Sequence, residues 1–74
     1  MIRGRLVLAI TGMGPYCLVA WTEDLRPGQR ATALCTEEAV VYSLGGELVV
    51  AHLGDPIHPA CRKAAGARLR LPAP

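Results

Sequence analysis

The segment HLGDPIHPAC, residues 52–61, sets two imidazoles and a thiol within ten positions: His52, His58 and Cys61. Zinc takes nitrogen and sulfur ligands at the corners of a tetrahedron, and structural sites usually present them as two closely spaced pairs. His58 and Cys61, with two residues between them, have the spacing of one such pair. A second pair would have to be drawn from Cys17, Cys35 and His52, which stand apart in the sequence, and no Cys-x-x-Cys is present. A zinc-stabilised module, with Cys35, His52, His58 and Cys61 as candidate ligands, therefore ranks third among the functional readings. No metal or cofactor is expected by the first. That reading takes the segment as turn chemistry ending a sheet, because the residue before each of Pro56 and Pro59 is pushed away from helix.

The other polar residues do not assemble a catalytic site. A nucleophilic cysteine needs a base in hydrogen-bond reach and usually a third group to orient that base. Cys61, His52 or His58, and Asp55 supply the types, but a chain of 74 residues leaves little room for a substrate pocket. Glu23 with Asp24, and Glu37 with Glu38, are sequence neighbours that point to opposite faces of a strand. The glycines at 12 and 14 lack the third glycine and following helix of a phosphate loop. The pair Gly45 and Gly46 joins two strand-like runs. The chain is read as non-enzymatic.

The elements around these residues read as strands. Residues 3–11 and 16–22 are apolar runs without helical spacing, joined across a glycine-rich turn at 12–15. Such continuous runs predict strands covered on both faces, the second cover coming from another subunit. A polar loop at 23–29 carries Pro27 and Gly28, and a third strand spans 30–35. Residues 36–39 are ambiguous: Thr36 is a helix-cap residue with acids after it, yet Val40, Val41 and Tyr42 favour a strand. Gly45 and Gly46 then supply the backbone freedom for a tight hairpin between 39–44 and 47–53. Pro59 opens a short helix over 59–65 that Gly66 stops. Residues 68–71 alternate charged and apolar side chains like an edge strand. The stretch LRPGQRA, residues 25–31, resembles the approach to a strand in many small SH3-like and OB-like barrels. The expected fold is mostly β: a small five-stranded SH3-like or OB-like barrel or sandwich, one domain over 1–71 with a tail at 72–74.

Composition turns this fold toward partners. Apolar residues make up 51% of the chain, charged residues 19%, and mean hydropathy is +0.29. A domain of this size buries only about 60% of its unfolded surface. The excess predicts an exposed apolar patch, the usual mark of a binding site. The leading function is thus a protein–protein interaction module (an adaptor, assembly subunit or inhibitor) that also self-associates. Acids lie only between Glu23 and Asp55, so Arg62, Lys63, Arg68 and Arg70 form a basic C-terminal rim suited to an acidic partner surface, with Arg3 and Arg5 at the other end. Trp21 and Tyr42 are the aromatic anchors. The alternative is a small nucleic-acid-binding barrel that uses both basic ends, although aromatic platforms for stacking bases are sparse. Three cysteines, an odd count, predict reduced thiols and a cytoplasmic protein. The run from Leu6 to Trp21 is too short, and too broken by glycine and proline, for a membrane span.

Overall fold

The computed structural model describes residues 5–12 and 14–66, and these form a mostly β molecule with one short helix. Four strands, β1 (Leu6–Ile10), β2 (Cys17–Ala20), β3 (Arg30–Thr32) and β4 (Glu38–Val41), make an antiparallel sheet in the order β2-β1-β4-β3. A two-stranded hairpin, β5 (Ser43–Leu44) with β6 (Glu47–Leu48), follows, and helix α1 (Pro59–Ala65) comes last.

The aliphatic run of β1 is explained by its position. One edge pairs with β2 in the register Leu6↔Ala20 to Ala9↔Cys17. The other edge is shared: Ala9 and Ile10 pair with β4, while Leu6 and Leu8 exchange hydrogen bonds with Ala51 and Val49 at 2.8 and 2.9 Å. The sheet therefore curls into a half-barrel. Leu6, Val7, Leu8 and Ala9 are all buried, as are Cys17, Leu18, Val19, Ala39 and Val41. The single chain covers both faces of β1 by itself, which corrects the expectation that a second subunit must do so.

Local chemistry sets the ends of the elements. Gly45 and Gly46 both have positive φ, 63° and 84°, which is the two-residue hairpin turn that their sequence predicts. The flanking strands are shorter than the expected 39–44 and 47–53. The chain changes sheets at Tyr42, whose N–H turns to Leu8 O, and residues 49–51 leave the hairpin to join β1. Among the described residues the strands thus form a four-stranded sheet and a small hairpin. Helix α1 has the predicted limits, with Pro59 in its first turn and the Gly66 N–H closing onto Arg62 O. The expected strand at 68–71 lies outside the described residues. Among those residues no helix is long and apolar enough to cross a membrane.

Candidate metal centre

Seven helical residues are too few to hold together alone in water, so α1 depends on what it packs against. It turns Cys61 and Ala65, four apart on one face, onto the sheet, where both are buried. Its approach is laid along the start of β2. Tyr16 N–H donates to Pro56 O at 2.8 Å, and His58 N–H donates to Tyr16 O at 2.7 Å. These bonds set His58, the N-cap residue, beside Cys17, the first residue of β2.

Cys35 arrives from the other side. The expected strand 30–35 stops at Thr32, because residues 33–36 fold into a tight turn. Thr36 N–H donates to Ala33 O at 2.9 Å, and Ala33 N–H donates to Glu37 O at 2.8 Å. The turn needs Thr36 at φ 70°, a left-handed conformation that costs a β-branched residue about 1–2 kcal/mol. Leu34 N–H then donates to Leu18 O at 2.9 Å, which ties this turn to β2. Cys35 thereby faces Cys17 across the junction.

The result is a cluster of Cys17, Cys35, His58 and Cys61 whose ligand atoms all lie within 4.8 Å of one another. With zinc–sulfur bonds of about 2.3 Å, the edge of a sulfur tetrahedron is about 3.8 Å. The Cys17 and Cys35 sulfurs, 3.9 Å apart, already sit on such an edge. All three cysteines are free thiols. Cys17 and Cys61 are fully buried, while Cys35 and His58 are partly exposed. His58 Nδ1 is buried and has no hydrogen-bond partner among the described residues. A buried nitrogen left unpaired costs about 1–3 kcal/mol, and a metal ion supplies the missing partner.

The electrostatics distinguish the three sulfurs. Burial pushes the Cys17 thiol up to about 12, with Cys61 and Cys35 adding to the effect. Burial also raises Cys35, against the pull of the Glu37 backbone N–H. At Cys61 burial works in the same upward direction, but the Leu18 backbone N–H and the N–H and thiol of Cys35 outweigh it, so the group falls below its ordinary value. The Leu18 N–H lies 3.4 Å from Cys61 Sγ. Backbone donors aimed at a ligating sulfur hold it in place and offset its charge. Three thiolates and a neutral imidazole would fill all four positions around a zinc ion. Such a set would leave no coordination position for a substrate, which is the pattern of structural zinc.

Three of the four candidate ligands, Cys35, His58 and Cys61, meet in this cluster. His52 does not: it stands in a neighbouring turn, its N–H bonded to Asp55 Oδ2 at 2.7 Å and its O accepting from Asp55 N–H at 3.0 Å. Cys17 takes its place. Of the proposed partner-binding residues, Trp21 and Tyr42 are half-buried against the core, and Tyr42 packs on Tyr16 with ring centroids 5.3 Å apart. Arg62 is engaged within the chain, donating to Leu53 O at 3.1 Å and Asp55 O at 2.9 Å. Lys63 is exposed, and Arg3, Arg68 and Arg70 lie outside the described residues. The expectation of little room for a pocket needs amending. An open cleft of about 500 Å³ lies between Ile10, Arg30, Glu38 and Val40, and no cysteine or histidine lines it. No protein-family model matches the chain, and neither a curated protein nor a solved structure is significantly similar to it.

Proposed function

We propose that this chain is a zinc-stabilised β module whose work is non-enzymatic docking onto another protein. The observation that carries the reading is the convergence of three sulfurs and the unpartnered His58 Nδ1 within 4.8 Å. Soft thiolates with one imidazole in a four-cornered arrangement select zinc over the hard, oxygen-seeking cations. The closed ligand set makes the ion a fastener. It joins β2, the 33–36 turn and the first turn of α1, and so substitutes for the core that so short a chain lacks. Unmodified thiols suit a reducing, cytoplasmic setting.

Docking rests on a different part of the surface. Among the described residues Ile10, Val40, Leu44 and Leu53 are the large apolar side chains left exposed, Leu44 at 71%. Ile10 and Val40 are cross-strand partners beside the open cleft, with the exposed Arg30–Glu38 ion pair next to them. We take this outer sheet face as the contact surface, with self-association as one use of it. The finer fold reading is an SH3-like or OB-like barrel built on this half-barrel.

Native mass spectrometry of protein purified under reducing conditions, without chelator, tests the zinc reading. The expected mass exceeds the 7.9 kDa chain by about one zinc ion. His52→Ala keeps the zinc and Cys61→Ser loses it. A folded chain that takes up no zinc when the ion is added contradicts the proposal.

A further inference from the structure

The three sulfurs of the cluster are not equivalent. Cys61 is fully buried and accepts the Leu18 N–H. Cys17 is fully buried as well. Cys35, at the tip of the 33–36 turn, is the one cysteine with solvent access. Its sulfur lies 3.9 Å from that of Cys17, in near contact, and must close by about 2 Å to reach a disulfide bond length.

We propose that the centre is also a hydroperoxide-sensitive latch, in which Cys35 and Cys17 form a disulfide and the zinc ion is released. This rests on the zinc reading above. The oxidant is hydrogen peroxide. The Cys35 thiolate attacks one peroxide oxygen, the O–O bond breaks, and the departing hydroxide takes a proton to leave as water. Cys35 becomes a sulfenic acid. Cys17 sulfur then attacks Cys35 sulfur, the S–O bond breaks, and the second oxygen leaves with a proton as a second water. Two thiolates, one peroxide and two protons give one disulfide and two waters, and the two electrons come from the two sulfurs.

The consequence follows from which elements hold which ligands. The new bond joins β2 to the 33–36 turn, within the sheet. His58 and Cys61, the two remaining ligands, both belong to the start of α1 and cannot retain zinc between them. The ion leaves, and the helix loses its fastening to the sheet while the sheet keeps its own. Oxidation therefore frees α1 and the residues before it without dissolving β1, β2 and β4.

The test uses the full zinc-loaded chain, hydrogen peroxide and a chromogenic zinc chelator, followed by peptide mapping. Zinc should appear in step with a Cys17–Cys35 disulfide, about one ion for each bond formed. Cys61 should stay free for alkylation, and thiol reductant with added zinc should restore the starting state. Hydrogen exchange should quicken over 57–66 and stay slow in β1. Cys35→Ser removes a ligand together with the reactive sulfur, so the mapping on the unaltered chain decides. Zinc retained after peroxide has oxidised Cys35, or a disulfide that includes Cys61, overturns the latch while leaving the zinc reading intact. A reduced chain that never binds zinc overturns both.

Discussion

The two sides of β2 are held by different physics. Toward β1 the chain is a run of aliphatic side chains and regular ladder hydrogen bonds, with Leu6, Val7, Leu8, Leu18 and Val41 buried together. Toward α1 the same core thins, with Ile57, Cys61 and Ala65 as its buried members there. Two small buried side chains of the helix, Cys61 and Ala65, and a handful of backbone hydrogen bonds meet three thiols and an imidazole. The first side is stabilised by area removed from water, which needs no ligand. The second gains less from area, because cysteine and alanine offer little of it, and on the zinc reading coordination supplies the rest. On the zinc reading, a short chain completes with one ion a fold whose apolar volume is small.

Removing zinc should produce the largest effect and should divide the two sides. Chelation under reducing conditions is expected to lower stability by several kcal/mol, since zinc binding free energy in such modules is folding free energy. For a domain of this size each kcal/mol is worth about 4–8 °C in Tm. Hydrogen exchange should show protection lost over 57–66 before it is lost in β1. Equal loss in both regions would erase the distinction.

A cut on the aliphatic side should give the converse result. Leu8→Ala leaves a cavity beneath a side chain only 4% exposed and should cost about 2–5 kcal/mol. Zinc stoichiometry, measured by mass spectrometry on the folded fraction, should not change. Loss of zinc in this variant would mean that the two sides are one cooperative unit.

The two forms should also respond to pH in opposite directions. In the metal-free protein the fold favours the neutral Cys17 thiol, whose value rises from 9.0 to about 12. That contribution is present below pH 9 and is lost as the pH climbs from about 9 toward 12. In the zinc form protons compete for the same sulfurs, so stability is lost as the pH falls. Denaturant titrations across pH should show the zinc form losing stability on acidification and the metal-free form losing the Cys17 contribution only above about pH 9.

The smallest effect belongs to the hairpin, remote from the cluster. Gly46 has φ 84° and open space where a Cβ would stand. The cost of Gly46→Ala is therefore conformational, about 1–2 kcal/mol. A thermal melt should register it with zinc affinity unchanged.

How much of this was legible depended on whether the signal was local. Pro59 and Gly66 bracket α1 in the sequence as they do in the fold, and Gly45 with Gly46 specify their turn wherever the hairpin sits. The spacing of His58 and Cys61 was equally plain. Cys17 and Cys35 were not, because eighteen residues separate them and only the curl of the sheet brings them together. The turn that presents Cys35 was hidden for a second reason: it places Thr36 in a left-handed conformation, where the usual signal is glycine. His52 was a candidate by proximity in sequence alone, and its turn with Asp55 carries it away from the cluster.

Cobalt substitution tests the central claim most directly. Adding Co(II) to the reduced, metal-free chain should give the intense visible absorption of a tetrahedral thiolate site, displaced by stoichiometric zinc. Absence of those bands, or only the faint colour of six-coordinate cobalt, would show that Cys17, Cys35, His58 and Cys61 do not form a metal centre.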